Sequence, residues 1–162
     1  LPYWIIYRNK DFDKTLNAIE TDVFNVFRDR QITKKITNLY GKYRVIKSRN
    51  IGNNEILNIK NYDAYIDNID SLVVKKFLNK KVVLVPNLSY YPRATFLPKN
   101  SIVDGSAAIL IPKININKKD LDFFASDEFS DFYRVARNYG TRSLNIDANS
   151  VFFFGKVRAN AN

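Results

Sequence analysis

Cysteine, histidine and methionine are all missing from these 162 residues. Without cysteine there is no disulfide framework and no thiol nucleophile. Without histidine there is no imidazole general base and no zinc site of the Cys/His kind. Chemistry built from Asp, Glu, Lys, Ser and Tyr alone is still allowed. Glycine is scarce. The five glycines, at 41, 52, 105, 140 and 155, form no Gly-x-Gly pair. That excludes a dinucleotide fingerprint and a phosphate-binding loop. No apolar run approaches the ~18 residues that a membrane helix needs. The opening Leu1-Pro2-Tyr3-Trp4-Ile5-Ile6-Tyr7 reads as a strand rather than as a signal peptide, which begins with charge.

What is present suffices for a packed core. The chain is 46% hydrophobic and 14% aromatic, which argues against disorder. Length and patterning predict one α+β domain over residues 1–162, with a mixed or antiparallel sheet and a few helices. The absence of Met, even at the start, points to a fragment of a longer polypeptide. The lack of cysteine is compatible with the cytoplasm.

Charge is the most informative positive feature. The net charge is +10, and the stretch Arg28–Arg49 alone carries eight Lys or Arg against one Asp. Phe27, Tyr40 and Tyr43 interleave with these cations. A solvated face is the ordinary fate of such a run. Here its size and its aromatics favour contact with a polyanion, with nucleic acid as the first candidate. Arg28, Arg30, Lys42, Arg44, Lys47 and Arg49 are the expected contacts to phosphate or guanine. Gln31 and Asn50 are the expected readers of adenine edges.

Local patterning places the remaining elements. Asp11 or Asp13 is expected to cap a short helix running through Leu16 to Glu20. Strands are expected at Tyr43–Ser48, Lys81–Pro86, Ala94–Leu97, Ala107–Ile111, Leu144–Ile146 and Val151–Phe154. Ile56–Ile66 is ambiguous. Asp104-Gly105-Ser106 reads as a hairpin-like turn. Ser71–Asn79, Lys119–Phe124 and Asp127–Asn138 read as helices, the last capped by Ser126 and ended by Tyr139-Gly140.

Two further segments are candidate contacts. Asn87–Arg93 should be a surface loop offering Tyr90, Tyr91 and Arg93 for stacking and phosphate contact; packing of the tyrosines against the domain is the competing role. In Gly140–Asp147, Arg142 and Asn145 alternate with apolar residues, and Arg142 is suited to phosphate or to a buried ion pair. Lys99, in the turn after Leu97, adds another cation. Asp120 and Asp122 beside Lys118 and Lys119 imitate a nuclease metal site. They open a helix, however, and are better read as charges favoured by its dipole. No Asn or Asp precedes paired prolines, so the tetrad used in adenine-amine methylation is missing.

Several of these segments together resemble a known pattern: Phe27–Ile32, Arg44–Ile51, Leu97–Asn100, and Thr141–Ile146 ahead of Val151–Gly155. They look like the C-terminal target recognition domain of bacterial type II restriction-modification adenine-specific (N6) DNA methyltransferases, nearest to the Alw26I/Eco31I/Esp3I type. The helix Ser126–Asn138 is also similar to recognition domains of Taq-type methylases and of type I specificity subunits. The resemblance implies sequence-specific recognition of double-stranded DNA by a non-catalytic domain. S-adenosylmethionine would then be held by a catalytic methyltransferase domain elsewhere in the parent chain, the second expected partner. Two other roles are compatible with the residues. One is an assembly module docking through an exposed Phe129/Phe132/Tyr133 stripe. The other is an RNA-binding module.

Overall fold

In the computed structural model, which describes residues 1–87, 89, 91–140 and 146–159, the chain alternates short strands with short helices. Helix α1 (Lys10–Ala18) starts at Asn9, whose side chain accepts the Phe12 N–H. Strands β1 (Ile19–Glu20) and β2 (Phe24–Phe27) follow across a turn in which Asp22 adopts a φ of 58°. A long loop separates β3 (Tyr43–Ile46) from β4 (Ala64–Ile66). A 3-10 turn at Val73–Phe77 leads to β5 (Val83–Pro86), β6 (Thr95–Phe96), β7 (Ser101–Val103) and β8 (Ala107–Pro112). The C-terminal third holds α2 (Lys118–Phe124), α3 (Asp127–Ala136), α4 (Ala148–Val151) and β9 (Lys156–Val157).

Among the described residues the strands form three sheets. Order β2-β8-β5-β6 makes an antiparallel four-stranded sheet; β4-β3-β7 makes a mixed sheet in which β7 runs parallel to β3; β1 pairs with β9. The four-stranded sheet is buried on both faces. Val83, Val85, Ala108 and Leu110 join Phe24 in one core cluster with the helices. Leu84, Ala107 and Ile109 face the other way, into a second cluster shared with Val45, Ile66, Ile102 and Val103 of the mixed sheet. Two-sided burial explains why β5 and β8 are continuous apolar runs rather than alternating ones. The mixed sheet takes its central strand, β3, from the basic stretch.

Aromatic rings fill the helical side of the core. Phe129 is fully buried and contacts the rings of Phe123, Phe124, Phe132, Tyr133 and Phe154 at centroid separations of 5.1–6.0 Å. Ser126 caps α3 by accepting the Phe129 N–H, and Asp127 and Glu128 complement the positive helix start, as patterning predicted. Phe132 and Tyr133 are buried too, so no exposed aromatic stripe is left on this helix.

Five expectations need correction. Leu1–Arg8 is not a strand. No sheet edge receives it, and it lies against the end of α3 through Tyr3 Oη donating to Ala136 O and Asn138 Nδ2 donating to Trp4 O. Asn9, rather than Asp11 or Asp13, caps α1. Ser71–Asn79 shrinks to the Val73–Phe77 turn, because the Gln31 side chain ties down its start. Val151–Phe154 is not a strand: Asp147 accepts the Ser150 N–H and nucleates α4 instead. Finally, Asp104–Ser106 does not close a hairpin. It turns the chain from β7 in one sheet to β8 in another, with Gly105 so close to Asp29 O that a Cβ would lie 2.5 Å away. After α3 the backbone takes positive φ at Asn138 and Tyr139. Leu144 and Asn145 of an expected strand lie outside the described residues.

Two measurements test this core. Phe129→Ala should cost about 3–5 kcal/mol in denaturant unfolding, the range for truncating a buried phenylalanine. Burial pushes the Tyr133 phenol up to about 12, against the opposing pull of Arg137. Its stabilising effect is therefore complete below pH 10. Between pH 10 and about 12 the unfolded chain releases this proton while the folded chain keeps it, and stability falls by up to ~1.4 kcal/mol per pH unit. Tyr133→Phe should remove that part of the alkaline slope, seen as a difference between the two pH–stability curves.

Candidate nucleic-acid interface

Strand β3 ends at Ile46, and the backbone then turns through Ser48–Asn50. Asn50 has no exposed surface. Its Oδ1 accepts the Lys47 N–H at 3.0 Å, and its Nδ2 donates to Leu57 O at 3.0 Å and to Asp63 Oδ1 at 2.7 Å. Asp63 Oδ2 accepts the Ile59 N–H at 3.0 Å and lies 3.2 Å from Arg44 Nη2. Arg44 also donates to Asn58 Oδ1 at 2.6 Å and to Leu57 O at 2.9 Å. One connected network thus folds the 51–63 loop back onto β3. Asn61 completes the return with a φ of 63°, a conformation asparagine tolerates well.

The returning loop delivers Tyr62. Its hydroxyl accepts the Arg49 N–H, and its carbonyl accepts Lys47 Nζ. Lys47 Nζ sits 3.9 Å from the ring centroid and the Arg49 guanidinium 4.8 Å, both inside cation–π range. This ring and Lys47 line a groove of about 550 Å³ with Lys34, Asn38, Leu39 and Asn61. Asp63 also lines it, but its carboxylate is engaged by Arg44.

A second groove of about 390 Å³ is lined by Lys42, Arg44, Tyr65 and Lys99 among others. Adjacent residues of β4, Ala64 and Tyr65, contribute to one groove each. The segment 38–41 forms a ridge that joins them, with Asn38 and Leu39 lining the first and Gly41 the second. Asn38 and Tyr65 exchange backbone hydrogen bonds at 2.8 and 2.9 Å. Gly41 lies so near Ile66 that a Cβ would come within 2.9 Å of its nitrogen.

The expected contact residues separate into two groups. Arg30, Lys42, Arg49 and Lys99 are exposed cations on or near this surface. Lys47 is half-buried but faces the first groove. Asn50, Gln31, Arg44, Arg93 and Arg28 have partners within the fold. Asn50 is a correction: a sealed amide with both ends bonded cannot read adenine. Gln31 is exposed, and its amide spans Ser71 O and the Val73 N–H. Arg44 is a loop clamp. Arg93 is likewise a clamp, donating to Ile51 O at 2.6 Å and to Ser89 Oγ at 2.7 Å, and burial draws its pKa below the usual arginine value. Arg28 is half-buried and already partnered. Tyr91 is exposed, with the Arg134 guanidinium 5.5 Å from its ring. Tyr90, Arg142 and Asn145 lie outside the described residues.

The acidic candidates have structural roles. Asp120 accepts the Asn117 N–H at 2.8 Å in a capping box and pairs with Lys156 at 3.2 Å. Asp122 accepts from Asn54 at 3.3 Å. Among the described residues no group of three or more carboxylates is placed to hold a metal.

Tyr62 and Lys34 are the functional candidates that patterning missed. Tyr62 sits in the ambiguous 56–66 segment, and its only local signal is the Asn61 turn before it. Asn50→Ala tests the network: stranding the Asp63 and Leu57 acceptors should cost about 1–3 kcal/mol of unfolding free energy by urea titration. No protein-family model matches this sequence, and no curated protein matches it significantly.

Proposed function

We propose that this domain binds double-stranded DNA through the paired basic grooves, and that it serves as the target recognition domain of an adenine-N6 methyltransferase in a restriction-modification system. The observation that carries DNA binding is the Lys47–Tyr62–Arg49 stack at the mouth of a groove that also holds Lys34. Cations held against a ring are oriented before a ligand arrives, so less side-chain freedom is lost on contact. Arg49 and Lys34 suit phosphate oxygens, and the tyrosine offers an edge or face to sugar or base. The one carboxylate in the groove is matched by Arg44, so the field there stays positive.

In this reading the domain recognises and does not catalyse. Methyl transfer belongs to the S-adenosylmethionine-binding catalytic domain of the parent chain, and the site of action is the cytoplasm, where bacterial DNA lies. Among the described residues no helix is long and apolar enough to cross a membrane. The assembly-module alternative depended on an exposed Phe129/Phe132/Tyr133 stripe, and those rings are 0–4% exposed.

Salt dependence tests the proposal. Binding to random-sequence duplex DNA should weaken linearly in log–log salt titrations, and Lys34→Ala and Arg49→Ala should each lower the slope by about one. Wild-type slopes in both variants would move the contact elsewhere. Tighter binding to single-stranded RNA than to duplex DNA at equal salt would favour the RNA reading instead.

A further inference from the structure

Two large apolar residues project where burial would be expected. Leu39 is 73% exposed and Tyr40 84%, adjacent in the ridge segment 38–41, whose Asn38 and Leu39 line one basic groove and whose Gly41 lines the other. Trp4, Tyr7, Tyr91 and Tyr139 are exposed rings too, but none of them lines either basic groove. Nor is the ridge a loose tip. The paired Asn38–Tyr65 hydrogen bonds hold one end, and the Lys42 N–H bonded to Asp67 Oδ1 at 2.9 Å holds the other. Between them Gly41 lies tight against β4. A rigid support presents the pair, and cations lie to both sides: Lys34 and Lys47 in one groove, Lys42 and Lys99 in the other.

Resting on the DNA-binding reading above, we propose that Leu39 and Tyr40 form a wedge that enters duplex DNA between stacked base pairs while the flanking grooves hold the phosphates. The occupant is duplex DNA because charge complementarity on both sides of the ridge matches two lines of phosphate. An apolar side chain with an aromatic neighbour suits insertion into a base step, where each gains contact with base faces. Flexible pyrimidine–purine steps, TA above all, open most readily. The wedge would therefore add preference through deformability at positions that no side chain reads by hydrogen bonding.

The test uses a short duplex of repeated TA steps with 2-aminopurine in place of adenine on one strand. Stacking quenches this base, so unstacking raises its fluorescence. Fluorescence anisotropy of an end label reports binding separately. Wild-type protein should raise the 2-aminopurine signal roughly twofold or more on binding. Leu39→Ser/Tyr40→Ser should bind with an unchanged salt slope and leave the signal near that of free duplex. Both residues are exposed, so the variant should keep the wild-type melting temperature. Salt-sensitive binding with no rise in the wild type, or an equal rise in the variant, overturns the wedge while leaving DNA binding intact. A 2-aminopurine single strand bound more tightly than the duplex also overturns it. No anisotropy change even at low salt overturns DNA binding and the wedge together.

Discussion

The surface of this domain depends on a single buried amide. Asn50 ties the end of β3 to Leu57 and Asp63, residues 7 and 13 positions further along. Through Asp63 the same network reaches Arg44, and through the returning loop it reaches Tyr62. Asn50 itself is sealed from water, so its amide would be stranded without these partners. What the solvent meets, a tyrosine with two cations stacked on it, is the outer end of this interior arrangement. The ring's position is therefore inherited from hydrogen bonds in which the ring takes no part.

Behind that surface, the doubly buried four-stranded sheet divides the molecule into two packing problems. On one face short helices and aromatic rings close the core. On the other, the small mixed sheet packs Val45, Ile66, Ile102 and Val103 against Leu84 and Ile109. The mixed sheet is only three strands wide and could not bury its apolar face alone. Packed against the larger sheet it becomes a firm platform with free margins. Lys42 and Lys47 flank its central strand, β3. Rigid interior strands with polar variation at their edges is how a fold keeps a recognition surface positioned without relying on that surface for stability.

Legibility followed the range of the interactions. Helix α3 was readable because its determinants are local: the Ser126 cap, the acids after it and the phenylalanine spacing. Strands β5 and β8 were readable as apolar runs of strand length. Strand β7 was not, since Ser101–Val103 is three residues long and its parallel partner β3 lies more than fifty residues earlier. The aromatic runs Leu1–Tyr7 and Val151–Phe154 imitate strands, but pairing requires an open sheet edge, and composition cannot supply one. The same limit governed the site. Lys47 and Asn50 look equally available in a basic stretch. Only the fold brings Asp63 and Leu57 to Asn50 and Tyr62 to Lys47.

This difference changes how the basic run is read. Counting charge between Arg28 and Arg49 treats every cation as equivalent, yet the fold uses arginine and lysine differently. Arg44 and Arg93 bridge several backbone and side-chain acceptors at once, which their planar, multi-donor guanidinium groups do well. Lys34, Lys42 and Lys99 stay at the rim, where a flexible ammonium can follow a phosphate. Arg49 is the exception, an exposed residue whose guanidinium lies 4.8 Å from the Tyr62 ring centroid. Holding it there gives up little of the cation's attraction for an anion, because the ring's quadrupole screens only one face. It is the arginine here best placed to meet a phosphate or a guanine edge with its geometry already set.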